Sequence, residues 1–119
     1  MVHKLDADAF ILTSSGDAVM RNKTGMIGYL LIKSDWCGHC QRFRGEYIKL
    51  DHVLNDNGLT FPLFVIDEKD MEKNPKVGQG LKFSGYPTIK VVKKDGTLVD
   101  YEGERDASKM AAHIKSQRY

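Results

Sequence analysis

Apolar residues follow two rhythms along this chain, and each change of rhythm marks an element. Residues 27–33 form a nearly continuous apolar run with Gly28 inside it, the pattern of a strand covered on both faces. Residues 61–66 repeat it, with Pro62 near the start, where a missing backbone donor is tolerated. Between the two runs, Phe43, Tyr47, Leu50 and Leu54 recur at offsets of four, three and four. That spacing predicts an amphipathic helix over about 37–55, ended by Asn57-Gly58. Upstream, residues 5–24 read as a short strand or turn, then a first helix starting near Ser14 or Ser15, either a good N-cap. Downstream comes a short helix over about 75–81. Strands at 89–92 and 98–101 then flank Lys94-Asp95-Gly96, a hairpin signal. Asp106 is placed to cap a final helix that turns Met110 and Ile114 inward.

The predicted order is β-α-β-α-β-α-β-β-α. Strands separated by helices imply right-handed parallel crossovers, and the late hairpin adds antiparallel strands. The expected architecture is α/β, a central mixed sheet flanked by helices on both faces. With 119 residues and neither a repeat nor a linker, residues 1–119 are expected to form one domain.

The only two cysteines stand in Trp36-Cys37-Gly38-His39-Cys40, just where a strand gives way to a helix. On a first helical turn, positions i and i+3 share a side, so the two sulfurs can bond. The partial positive charge of a helix N-terminus stabilises a thiolate on the first cysteine. A structural disulfide would gain little here, because it closes almost no loop. Zinc needs four ligands, yet there is no third cysteine and His3, His52 and His113 are scattered singly. No metal site is expected unless a dimer shares two cysteine pairs. The pattern points to a redox-active dithiol.

Composition narrows the partners. Hydrophobic residues make up 41% and charged residues 29%, ordinary proportions for a globular domain, and a net charge of +2 is too small to imply nucleic acid. The densest basic cluster, Lys90, Lys93 and Lys94, reads as the solvated face of the hairpin. The longest apolar run is too short to cross a bilayer, so no membrane partner is expected. MVHKLDADAF lacks the apolar stretch of a secretory signal, and KSQRY is no retention signal. The expectation is a cytoplasmic monomer in a reducing compartment, where a close cysteine pair serves catalysis.

A second motif, Gly85-Tyr86-Pro87-Thr88, stands some fifty residues further on, just before a predicted strand. Together the two motifs resemble the thioredoxin superfamily, and CGHC is similar to the catalytic domains of protein disulfide isomerases. The resemblance runs from about residue 5 to residue 116 and implies a thioredoxin fold. It also implies a cis Pro87 packed against the dithiol, which frees the Tyr86 backbone to pair with an extended substrate. Trp36, Gly38, Tyr86, Pro87 and Gly103 then form an apolar, sequence-tolerant groove. Cys37 is implied as the nucleophile and Cys40 as the resolving thiol. His39 adds positive charge beside the Cys37 thiolate. Residues 101–105 are similar to the isomerase segment that supplies a mobile arginine, which puts Arg105 in reach of Cys40.

Three positions depart from the family. Leu31 stands where relatives bury an acid that relays a proton to the second cysteine. Leu63 or Val65 replaces its partner lysine, and Gly45 replaces a helix-kinking proline. The implied activity is thiol–disulfide oxidoreduction on protein disulfides, as reductase or as oxidase and isomerase, with no cofactor beyond the dithiol. Expected partners are proteins carrying disulfides or thiols, with a reductase or glutathione as electron donor. A glutaredoxin is disfavoured, since no Gly-Gly pair follows the Pro87 strand. The alternative is a redox-gated binding module that uses the same groove without turnover.

Overall fold

The computed structural model describes residues 2–116. In chain order the elements are β1 (Val2–Lys4), a 3-10 turn (Ala7–Ala9), β2 (Phe10–Leu12), β3 (Ala18–Met20), β4 (Gly28–Lys33) and α1 (Gly38–Asp56). There follow β5 (Leu63–Asp67), α2 (Glu68–Glu72), α3 (Pro75–Gly80), β6 (Thr88–Val92), β7 (Leu98–Asp100) and α4 (Ala107–Ser116). Met1 and residues 117–119, which belong to the single-domain reading and to the reading of KSQRY, lie outside the described residues.

Five strands form one mixed sheet in the order β1-β5-β4-β6-β7, with β1, β5 and β4 mutually parallel and β6 and β7 antiparallel. This is the thioredoxin fold. Strand β4 lies at the centre because alternate residues feed two separate cores. Tyr29 and Leu31 join Phe43, Tyr47, Leu50 and Leu54 of α1 and Met110 and Ile114 of α4. Leu30 and Ile32 face the other way, onto Phe10, Ala18, Met20, Met71, Val77 and Leu81. Inside the first core the Tyr47 hydroxyl donates to the Phe64 carbonyl at 2.8 Å, so the phenol brings no unpaired polar atom into it.

The helix expected near Ser14 or Ser15 does not form. Residues 10–20 make a separate β2–β3 hairpin, with Phe10 opposite Met20 and Leu12 opposite Ala18. The hydroxyl of Thr13 accepts the Asp17 N–H at 3.1 Å and Gly16 sits at φ +85°. Side chains suited to cap a helix instead close a turn, and the apolar positions on either side alternate with period two. Helix α2 escapes sequence reading because five residues show no helical period, although Asp67 caps it by accepting the Asp70 N–H at 3.1 Å. Strand β6 runs antiparallel to β4, not as a parallel crossover. Helices of five and six residues span only about 8–9 Å, too little to carry the chain back along a sheet.

Lys90 is the fourth correction. It is buried, and its ammonium donates to the Lys82 carbonyl at 2.8 Å and to the Asp100 carboxylate at 2.6 Å. The central position of β6 forces this side chain inward, and two acceptors offset its desolvation. Elsewhere the expected turns hold. Asp106 Oδ1 accepts the Lys109 N–H at 2.8 Å, and Gly96 at φ +90° turns the β6–β7 hairpin. That hairpin is tied to the chain's first third, since the Met20 N–H donates to the Gly96 carbonyl at 2.9 Å. The Asn22 amide donates to the Met26 carbonyl at 2.7 Å and the Lys93 carbonyl at 2.9 Å. No helix among the described residues is long and apolar enough to cross a membrane.

Candidate active site

Strand β4 ends against a turn in which the Cys37 N–H donates to the Ser34 carbonyl at 3.2 Å. The turn makes Cys37 the N-cap of α1. Its Sγ accepts the Cys40 N–H at 3.1 Å, the role an N-cap hydroxyl or carboxylate usually fills. The sulfur thus lies at the positive end of a 19-residue helix. Both cysteines are free thiols, Cys37 being 8% exposed and Cys40 3%.

The two thiols titrate in opposite directions. A hydrogen bond from the Cys40 thiol, assisted by the Cys40 and His39 backbone N–H groups and by the Arg42 charge, holds Cys37 below the ordinary thiol range. Burial, and the thiol's own bond to Cys37, push Cys40 up to about 11. The sulfur at the helix terminus therefore holds a negative charge more readily than the buried one.

The Tyr86–Pro87 bond is cis. The Tyr86 carbonyl is already engaged, as it accepts the Cys37 thiol at 3.6 Å. Tyr86 meets Trp36 edge to face at 6.1 Å between ring centres. Trp36 is 71% exposed, and its indole N–H donates to Glu68 at 2.8 Å. Burial first, then the Glu68 carboxylate, raise the Tyr86 phenol above its usual range.

On the other side of Tyr86, a cavity of about 470 Å³ brings together His39, Arg105, Tyr86 and Pro87. Gly38 is exposed on the first turn of α1. Gly103 lies in the loop before α4 and does not line this cavity; a Cβ there would meet the Tyr101 hydroxyl at 2.5 Å. The His39 Nδ1 accepts from the Arg42 guanidinium at 2.6 Å, so the fixed positive charge next to the motif is Arg42.

Arg42 and Glu68 went unnoticed in the sequence. Arg42 sits three positions after His39, a helical spacing that carries a signal. Glu68 meets Trp36 only through the pairing of β4 with β5, and linear spacing cannot reveal it. Leu31 is 3% exposed within the α1-side core. The charges at the strand ends pair among themselves: Lys33 lies 2.9 Å from Asp35 and 3.9 Å from the buried Asp67, and Lys4 lies 3.6 Å from Asp67. Among the described residues there is no cluster of three or more His, Cys, Asp or Glu able to hold a metal ion.

The family described as Thioredoxin matches residues 17–116. Protein disulfide-isomerase A4 of Homo sapiens is 39% identical over 80 residues, which cover 67% of this chain and 12% of that protein. Protein disulfide-isomerase of Ricinus communis is 31% identical over 83 residues, covering 69% of this chain and 16% of that one. The chain thus spans a small part of the curated relatives it matches. Among solved structures, the first thioredoxin domain of mouse Protein disulfide-isomerase A4 superposes with a TM-score of 0.63 at 30% identity, covering 90% of this chain and 78% of that one. The Trx4 domain of ERdj5 gives a TM-score of 0.67 at 19% identity, covering 98% and 94%, a likeness of fold.

Proposed function

Because this chain belongs to the thioredoxin family and its cysteine pair is similar to that of protein disulfide isomerases, we propose that it is a thiol–disulfide oxidoreductase acting on protein disulfides. The observation that carries the proposal is the Cys37 sulfur at the head of α1, with the Cys40 N–H 3.1 Å away. In the reductive direction the Cys37 thiolate attacks one sulfur of a substrate disulfide. A mixed disulfide forms and the other substrate sulfur leaves as a thiolate, which takes up a proton. Cys40 then loses its proton and attacks the Cys37 sulfur. The first substrate thiolate departs, and a Cys37–Cys40 disulfide remains. Two electrons have passed from the protein to the substrate; the reverse sequence oxidises a substrate dithiol.

Trp36, Gly38, Tyr86, Pro87 and Gly103 contact the substrate in this proposal, and Arg105 moves toward Cys40 during resolution. A reductase or glutathione resets the dithiol. In this proposal the thioredoxin domain acts as a monomer. Insulin reduction with dithiothreitol tests the activity. Catalysis at sub-stoichiometric protein supports an enzyme, and a single turnover supports a redox-gated binding module. An equilibrium potential against glutathione buffers fixes the direction, with roughly −270 mV marking a thioredoxin-like reductase and roughly −180 mV an isomerase-like protein.

A further inference from the structure

Two guanidinium groups border the cavity that His39, Tyr86 and Pro87 line. Arg42 comes from α1 and Arg105 from the loop before α4, over a floor that includes Phe43 and Tyr86. Arg42 donates to His39 at 2.6 Å. Among the described residues neither guanidinium is ion-paired with a carboxylate, and Glu46 is the acid that shares the cavity with them. Across Tyr86 the charge reverses, since Glu68 holds the Trp36 indole at 2.8 Å. A chain laid over Tyr86 therefore meets cations on one side of Cys37 and a carboxylate on the other.

We propose that the Arg42–Arg105 cavity is an anionic subsite that seats a carboxylate of the disulfide substrate and fixes the direction in which the substrate crosses Cys37. This rests on the oxidoreductase reading and adds a substrate class to it, namely disulfides flanked by carboxylates. The carboxylate comes from an Asp or Glu near the half-cystine or from a small acidic tripeptide thiol. Cations with no carboxylate partner attract such a group at close range, and they also steer its approach at low ionic strength.

Stopped-flow oxidation of the reduced protein, followed by its single tryptophan, Trp36, tests this. The substrates are three disulfide peptides identical except for Glu, Gln or Lys beside the half-cystine, together with glutathione disulfide and its dimethyl ester. The Glu peptide is expected to react about fivefold faster than the Gln peptide, and the Lys peptide slower still. The ratio should shrink in 0.5 M salt and fall to about one in the Arg42→Gln/Arg105→Gln double variant. Taking ratios within each protein cancels any change in thiol reactivity. A preference seen only between glutathione disulfide and its ester assigns the subsite to a small thiol; one seen among the peptides assigns it to protein segments. Equal rates throughout, or a preference that survives in the double variant, overturn the subsite while leaving the oxidoreductase reading intact. Failure of every disulfide to react overturns both.

Discussion

The backbone N–H of Cys40 points at the sulfur of Cys37 across 3.1 Å, so the attacking residue caps α1 through the backbone of the resolving one. The two cysteines have different surroundings, and each should fail in its own way. Cys37→Ser is expected to abolish disulfide exchange, because the remaining Cys40 thiol is buried and held protonated by a pKa pushed up to about 11. Cys40→Ser retains the attacking thiol and should accumulate mixed disulfides with substrate, visible by mass spectrometry under non-reducing conditions. Full multiple turnover by Cys40→Ser contradicts the assigned roles.

The opposed thiol shifts predict a maximum in the pH dependence of stability. Cys37 titrates below the ordinary value of 9.0, so its contribution is complete above 9 and fades as pH falls through the folded value. Cys40 titrates at about 11 in place of 9.0, so its contribution is complete below 9 and is lost as pH rises toward 11. The oxidised protein has neither group to titrate. Urea midpoints of the reduced form minus those of the oxidised form should climb up to pH 9 and decline beyond it. A difference still rising at pH 11 contradicts the Cys40 assignment.

His39 acts on Cys37 through its backbone N–H and binds Arg42 through its ring. His39→Pro removes the N–H and should lower the reduction potential by about 30 mV or more, where 30 mV equals roughly 1.4 kcal/mol for two electrons. His39→Ala keeps the N–H and should shift the potential less. Equal shifts in glutathione redox titrations of the two variants would assign the effect to the imidazole alone.

Gly45 lies within the unbroken α1, and a Cβ added there would meet nothing within 4 Å. Gly45→Ala is expected to stabilise the protein by about 0.5–1 kcal/mol, as helix propensity and the reduced freedom of the unfolded chain dictate. Chemical denaturation measures this. A loss of stability would mean that the helix needs its glycine in order to bend.

Leu31→Glu sets a carboxyl into a core where the leucine is 3% exposed. The variant should lose about 2 kcal/mol or more in urea melts while releasing mixed disulfides faster in rapid-quench experiments. Faster release together with lower stability shows that proton transfer limits resolution in the native chain. An unchanged release rate shows that water or another group already performs it.

The close cysteine pair, the central strands, α1, α4 and the late hairpin were legible in the sequence because each rests on a local signal, whereas the cis Pro87 was legible only through the family resemblance of its motif. The local signals are a two-residue cysteine spacing, a helical period or an Asp-Gly turn. The N-terminal hairpin was misread because Ser14 and Ser15 suit a helix cap and a turn equally well in isolation. Only the packing of Phe10, Ala18 and Met20 onto one core decides between the two. Lys90 looked solvated for the same reason: its acceptors, Lys82 and Asp100, are supplied by other segments. At the site, Glu68 had no motif to announce it, since it acts through a neighbour in space, and Arg42 offered only its helical spacing from His39.

The Asn22 amide, with one hydrogen on the Met26 carbonyl and the other on the Lys93 carbonyl, bears on covalent modification as well as on packing. Asn22-Lys23-Thr24 has the form of an acceptor for N-linked sugar, and attachment would replace one of those two hydrogens. In the folded protein the nitrogen is already committed, and the Thr24 hydroxyl donates to the Asn22 side-chain amide oxygen at 2.7 Å. A glycan on Asn22 is incompatible with keeping both hydrogen bonds, and a chain that carried one would fold with the tie between Asn22 and Lys93 or Met26 broken.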